Sequence, residues 1–366
     1  MAIQRLQISG VRNLENIQIE QCGRINILTG LNGSGKTSFL EAIFILARAR
    51  SFRSARLNPV IHHLAGRCVV YGTLADYPDS PQTTIGVMRS RGEQQLFKID
   101  GSPVFAASQL ADKLPLQLIN AETFSLLDGG PKVRRQFLDW GVFHVEPDFL
   151  PRWRRIQKAL KHRNSLLRRG RIMPAEMAPW EAELASCSEA VDVMRARYVR
   201  LLRPHFMRAL TDLVALDTPT IEYRRGWPDG TSLAQVLLRD AERDEQQGST
   251  HSGPHRADLE IRVGGKMADD VLSRGQEKLL VCALRIAQGV LLNELTGKTC
   301  VYLVDDLPAE LDISRRQALC QQLAQIRSQV FITATDPESL NGCWDAGTDV
   351  KWFHVEQGRI TLQQSV

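Results

Sequence analysis

Arg24-Ile25-Asn26-Ile27-Leu28-Thr29-Gly30-Leu31-Asn32-Gly33-Ser34-Gly35-Lys36-Thr37 decides how this 366-residue chain is read. Ile25 and Ile27 alternate with polar residues, as in a short strand with buried side chains. Gly30–Thr37 follows at once and fits G-x-x-x-x-G-K-[ST]. Ser38–Ala49 then carries a helical apolar stripe at Phe39, Ala42, Ile43, Leu46 and Ala47. Strand, glycine loop and helix in that order predict a phosphate loop. Its glycines let backbone N–H groups turn inward on a phosphate. Lys36 reaches the β- and γ-phosphates, the Thr37 hydroxyl ligates Mg²⁺, and the helix N-terminus adds partial positive charge. Gly30, Leu31, Asn32, Gly33, Ser34, Gly35, Lys36 and Thr37 are therefore candidate ATP-binding residues. The pattern arises by chance in about one chain in a hundred of this length, so the flanking strand and helix carry the reading.

Far downstream, Val301-Tyr302-Leu303-Val304-Asp305-Asp306 is an apolar strand ending in two acids. Such a strand aims its carboxylates at a cation, water or a basic partner. Alone, the pair reads equally well as a solvated turn. With a phosphate loop in the same chain, Asp305 is expected to hold Mg²⁺, directly or through water. Asp306 is expected to polarise the attacking water, with Lys36 as the second catalytic residue.

Leu272-Ser273-Arg274-Gly275-Gln276 opens a long apolar helix, Gln276–Leu295, which Ser273 can cap. Ser273 lies 237 residues after Lys36 and 32 before Asp305. Leu-Ser-x-Gly-Gln at that distance before an acidic strand resembles the signature of the ATP-binding-cassette ATPases. The resemblance implies that Ser273, with Gly275 and Gln276, contacts ATP held by a second copy of the chain. Ala309-Glu310-Leu311-Asp312 resembles the D-loop of those enzymes. Thr335, after the buried strand Val330–Thr335, stands where they carry a switch histidine, and Asp306 where most carry Glu. Both departures imply slow hydrolysis. Asn120-Ala121-Glu122 ends a strand-like run where a Q-loop belongs, without singling out a residue.

The chain is 43% hydrophobic and 24% charged, which argues against wholesale disorder. Net charge is +5, which permits an anionic partner without naming one. Seven scattered cysteines read as reduced core thiols. Met1–Leu6 lacks the apolar stretch of a signal peptide, and the most membrane-like run, near Leu279–Leu295, is interrupted by Arg285, Gln288 and Asn293. A cytoplasmic location without membrane contact is expected.

Between these motifs, alternation over Cys68–Leu74, Thr83–Met88 and Gln95–Ile99 predicts an antiparallel β lobe. From about Thr123 to Leu216 the period is helical, with a break between two helices at Pro174 and Pro179. Strands return at Asp258–Val263 and Lys266–Val271. A helix at Arg315–Arg327 and a closing hairpin, Lys351–Glu356 with Ile360–Gln363, follow. The expected fold is α/β: a cassette-ATPase head with a β lobe and an inserted all-helical domain. Its expected parts are 1–119, the helical insert 120–235, and 236–366.

Val11-Arg12-Asn13-Leu14, Arg50-Ser51-Phe52-Arg53, Gly129-Gly130-Pro131, Arg134–Asp139 and Gly253-Pro254-His255-Arg256-Ala257-Asp258-Leu259 resemble, in order and spacing, the RecF family of bacterial DNA replication and repair proteins. The resemblance covers essentially the whole chain. Asn120-Ala121-Glu122 departs from the family's Pro-Glu-Asp, and Arg274 with Glu277-Lys278 varies the signature surroundings. The resemblance implies an ATP-dependent homodimer on single-stranded, gapped or junction DNA. It implies work with RecO and RecR in loading RecA, in replication restart and in the SOS response.

Charge alone gives partial support for DNA. Arg152, Arg154, Arg155, Lys158, Lys161, Arg163, Arg168, Arg169 and Arg171 lie between Pro151 and Ile172 with no acid among them. A second cluster is Arg50, Arg53 and Arg56, beside Arg48. Such faces neutralise phosphates, although a basic helix face is more often simply solvated. Trp153 can stack on a base or pack inside. A transporter subunit is disfavoured by the long insert, and a long-armed chromosome-organising ATPase by the absence of heptads. His62-His63, His251 and His255 lack a supporting ligand set, so no metal beyond that of MgATP is expected.

Overall fold

Ile25–Thr29 is buried on both faces, so its alternation with polar residues does not mark a solvent side: Asn26 is buried too and donates to the Gly23 and Val330 carbonyls. The computed structural model describes residues 2–56, 58–75, 80–170, 173–326, 328–345 and 347–363. Arg327, read from the sequence as a helix end, lies outside them. The chain divides into two units: 1–124, 212–214 and 278–366 form the first, and 125–211 with 215–277 the second. Residues 236–277, grouped by sequence with the C-terminal ATPase stretch, fall wholly in the second unit together with the helical residues.

In the first unit, one six-stranded sheet runs Arg359–Gln363, Val350–Glu356, Ile25–Thr29, Gln329–Ala334, Val301–Val304, Leu116–Ile119. All its pairings are parallel except the closing hairpin. The strand bearing the phosphate loop thus lies two places from the strand ending in Asp305. The other six-stranded sheet is antiparallel, in the order Leu14–Ile19, Ala2–Val11, Arg67–Ala75, Thr83–Ser90, Leu96–Ile99, Ser102–Val104. Phe39, Ile43, Leu46, Val70, Ile85, Leu303 and Phe331 belong to one buried core around the helix Lys36–Arg48. The helix Arg274–Thr296 is long and apolar enough to cross a bilayer. Its residues Leu279–Leu284 are nonetheless buried within the protein.

The second unit is helical over most of its length but also holds a three-stranded sheet of Lys266–Met267, Asp258–Val263 and Thr220–Arg224. The expectation of an all-helical insert is corrected in that respect. Its long helices are Gly130–Val145, Phe149–Arg169 and Pro174–Leu213. Gly170, at φ 73, ends one helix and Pro174 starts the next, while Pro179 lies inside it. The expected break therefore falls before Pro174, a first-turn position where proline costs nothing, whereas the helix accommodates Pro179 without ending. Gly141 lets two helices touch: a Cβ there would stand 2.1 Å from the Tyr198 ring. Lys266–Val271 is not one strand. It pairs only over Lys266–Met267, then turns helical at Ala268–Val271, where Asp269 and Asp270 favour a helix N-terminus.

Two stretches that carried the family resemblance bind each other here. Arg134 grips Asp258 with two bonds of 2.8 Å, and Arg135 donates to the Ala257 carbonyl at 2.7 Å. Asp139 accepts from Arg195, which also donates to the Pro254 carbonyl at 2.8 Å.

Candidate functional site

The buried strand Ile25–Thr29 delivers the chain to Gly30 at φ +148, where a Cβ would lie 2.1 Å from the Val355 carbonyl oxygen. Only glycine fits there. Asn13 Nδ2 donates to the Gly33 carbonyl at 3.2 Å, and Gly358 N–H to that of Ser34 at 2.8 Å, so the loop is braced from outside. The Lys36 ammonium folds over the loop and donates to the carbonyls of Gly30 at 2.6 Å and Leu31 at 3.0 Å. Ser34 Oγ is buried without a hydrogen-bond partner among the described residues. Leu31 is exposed, and Asn32 Oδ1 accepts from Thr335 Oγ1 at 3.4 Å. Burial pushes the Lys36 ammonium below its usual range, against the opposing pull of Asp306 and Asp305. A buried ammonium, an orphaned hydroxyl and a glycine loop at a helix start fit a phosphate chain.

Val301–Val304, buried between its two neighbours, carries Asp305 to the same end of the sheet. Thr37 Oγ1 donates to Asp305 Oδ1 at 3.0 Å, so loop and acid meet directly. Thr333 Oγ1 donates to the same oxygen at 2.8 Å and accepts the Asp306 N–H at 2.7 Å. Asp306 itself takes the left-handed conformation, φ 51 and ψ 47. Burial raises the Asp305 carboxyl above the usual range, with the Thr333 and Thr37 hydroxyls opposing and Asp306 reinforcing the rise. An oxygen pair from Thr37 and Asp305 suits a hard cation such as Mg²⁺, which takes few protein ligands and keeps waters and phosphates as the rest.

A cavity of about 560 Å³ opens over these residues. Lys36, Thr37, Asp306 and Thr333 line it with Arg12, Arg53, Pro59, Ile61, His62 and His63. The two histidine rings lie 4.5 Å apart. Arg53, read from charge as a DNA candidate, therefore lines this cavity. Sequence reasoning missed Thr333 and passed over Glu41. The available signals were a hydroxyl inside an otherwise apolar strand and an acid on the buried side of the loop helix.

A family model described as RecF/RecN/SMC N terminal domain matches residues 2–361. A DNA replication and repair protein RecF of Pseudomonas putida is 52% identical over 361 residues, 99% of this chain and 98% of that one. A protein of the same name from Pseudomonas aeruginosa is 51% identical over 366 residues, covering 100% and 99%. The chain belongs to the RecF family. A solved structure of the recombination mediator protein RecF with ATP, 22% identical, superposes with a TM-score of 0.87 over 99% of this chain and 97% of that one. An Smc head bound to the winged-helix domain of ScpA reaches 0.60 at 13% identity, over 99% and 98%. These two likenesses concern the fold: a RecF and SMC-head type ABC ATPase.

In this RecF-family chain, the signature residues lie in the second unit or at its end. Ser273 is exposed and caps the helix Arg274–Thr296: the Gln276 N–H reaches Ser273 Oγ at 3.4 Å, and the Ser273 N–H reaches Gln276 Oε1 at 3.0 Å. Gly275 follows in the helix's first turn. In the first unit, the D-loop-like stretch Ala309–Asp312 runs from the end of the helix Leu307–Glu310 to Asp312, which caps the helix Ile313–Gln325. Lys278 Nζ holds Glu310 at 2.6 Å, and Arg316 donates to the carbonyls of Leu311 and Ser339. Asn120 closes a tight turn with Thr123 through three hydrogen bonds of 2.7–3.0 Å.

The basic run divides on structural inspection. Arg154, Lys158, Lys161 and Arg168 are exposed on the helix Phe149–Arg169. Arg152 pairs with Asp148 at 3.7 Å, Arg155 with Glu183, and Arg169 with Glu176 at 2.6 Å. Lys158 Nζ stands 5.8 Å over the Trp180 ring. Arg163 is buried against Asp244 at 2.7 Å and Glu181 at 3.0 Å, so it does not belong to the exposed face. Trp153 packs parallel to Phe149 and beneath Arg195 rather than standing free. Arg171 lies outside the described residues. Arg50 and Arg56 are exposed on the segment that carries Arg53.

Proposed function

We propose that this RecF-family chain is an ATP-gated DNA-binding mediator of replication and recombinational repair, with slow ATP hydrolysis acting as a switch. The observation that carries the reading is the meeting of Thr37, Asp305 and Thr333 at the phosphate loop, in a chain 52% identical to a DNA replication and repair protein over nearly its full length. Lys36 and the loop amides neutralise the phosphates. Thr37 and Asp305 would hold a Mg²⁺ ion, which would screen the phosphate charge. Asp306 accepts the proton of the attacking water, and its short side chain keeps turnover slow.

The sandwich geometry of cassette ATPases supports the rest of the reading. Ser273, Gly275 and Gln276 of one copy close on the ATP of another, so that ATP holds a homodimer on single-stranded, gapped or junction DNA. Arg152, Arg154, Arg155 and Lys158, with Arg50 and Arg56, supply backbone contacts. The solved RecF–ATP structure, which superposes with a TM-score of 0.87, is described as belonging to the RecFOR pathway. This supports RecO and RecR as partners, with RecA loading, replication restart and SOS induction in the cytoplasm as the outcome.

Sedimentation with and without ATP and gapped DNA, on wild type, Lys36→Arg and Ser273→Arg, tests the model. Wild type alone is expected to dimerise with ATP. If both variants dimerise as it does, the sandwich is wrong.

A further inference from the structure

Glu41 sits on the phosphate-loop helix one turn beyond Thr37 and is fully buried. A carboxylate in that position needs charged or hydrogen-bonding partners. They come from two segments at the cavity wall. Arg12 Nε and Nη2 donate to Glu41 Oε2 and Oε1 at 2.8 and 2.9 Å, a bidentate fork. Ser51 Oγ donates to Oε1, and the Arg53 and Ser54 N–H groups reach that hydroxyl at 2.9 Å. Arg53 Nη1 lies 3.8 Å from Oε2. Arg12 and Arg53 line the cavity together with Lys36, Thr37 and Asp306, whereas Glu41 stands behind them.

The two guanidiniums are held unequally. Arg12 is locked by the fork, by a 2.9 Å bond from Nη1 to the Pro59 carbonyl, and by its own left-handed backbone at φ 55. Arg53 shares the same carboxylate at longer range and is 46% exposed. One buried negative charge thus faces two positive ones, which leaves a net positive wall whose planes are set before any phosphate arrives. Charges fixed in this way stabilise a transition state without reorganising.

We propose that Glu41 is a positioning residue for ATP turnover, acting through Arg12 and Arg53 on the wall of the nucleotide cavity. This rests on the reading of that cavity as an ATP site. A staple that merely closed the 51–54 turn onto the helix would affect stability and nucleotide affinity together and have no separate effect on turnover.

The test compares wild type, Lys36→Ala, Glu41→Gln, Glu41→Asp, Arg12→Met and the Arg12→Met/Glu41→Gln double variant. The full-length proteins are assayed for ATP affinity, single-turnover hydrolysis and thermal midpoint. Glu41→Gln is expected to bind ATP within about threefold of wild type and to hydrolyse it at least tenfold more slowly, with Glu41→Asp in between. The double variant is expected to be no slower than Arg12→Met. Hydrolysis by Glu41→Gln within twofold of wild type overturns the proposal, as does a loss of affinity that follows the fall in thermal midpoint. If Glu41→Gln does not fold, Glu41→Asp decides alone: slowed turnover with intact affinity supports the role, and unchanged turnover ends it. Wild type that binds ATP no better than Lys36→Ala overturns the ATP site itself, a result distinct from either.

Discussion

Thr333 Oγ1 donates to Asp305 Oδ1 at 2.8 Å and, through the same hydroxyl, accepts the N–H of Asp306 at 2.7 Å. One buried hydroxyl on a neighbouring strand thus orients both acids that end the strand Val301–Val304. It also helps to hold Asp306 in a left-handed conformation that costs a non-glycine residue energy.

Replacing Thr333 with valine keeps the shape and removes this link. The Asp306 N–H then loses its acceptor, which costs about 1–3 kcal/mol. Denaturant unfolding is expected to register that loss, and ATP hydrolysis to fall at least tenfold. Full activity in Thr333→Val would remove the threonine from the site.

Asp305 has a carboxyl raised mainly by burial. Between the ordinary carboxylate range and that raised value, the folded chain holds the proton that the unfolded chain has released. Stability from this group is therefore present at low pH and lost as pH rises through that window. Asp305→Asn is expected to raise the thermal midpoint of the nucleotide-free protein at neutral pH while abolishing Mg²⁺-dependent ATP binding. Mg²⁺-ATP affinity of wild type is expected to weaken on acidification, as titration calorimetry across pH would record.

Ligand binding should stabilise the fold only through an intact loop. At ATP concentrations about 100 times Kd, wild type gains about 2.7 kcal/mol. Lys36→Ala loses the ammonium that folds over Gly30 and Leu31. Its thermal midpoint is expected not to move with ATP, and an equal shift in both proteins would relocate the site.

Arg163 and its surface neighbours should separate cleanly. Arg163→Ala takes the arginine counter-charge from the buried Asp244, which keeps hydrogen bonds to His251, an expected loss of about 3–5 kcal/mol. Joint Arg152→Gln, Arg154→Gln and Arg155→Gln is expected to leave the fold intact. Its effect should be on DNA: each lost phosphate contact flattens the salt dependence by about 0.9 in log–log slope on duplex and about 0.7 on single strands. An unchanged slope would place DNA elsewhere.

The linear sequence determined the phosphate loop, the acidic strand, the helix cap at Ser273 and most strands. Each of those is a local pattern: a glycine spacing, an apolar period, a hydroxyl before a helix. The same locality misled at Lys266–Val271, read as a full return strand after the Gly264-Gly265 turn although only two residues pair, and at Pro179, which a long helix absorbs. It could not sort the basic run either, since Arg155 and Arg163 look alike until Asp244, 81 residues beyond Arg163, is folded against one of them. Only the tertiary structure decided that Thr333 and not Thr335 braces Asp305, and that Arg12, Ser51 and Arg53 converge on Glu41. Those contacts join residues from 10 to 29 positions apart in different elements, and a buried charge or hydroxyl takes its meaning from the partner that burial forces on it.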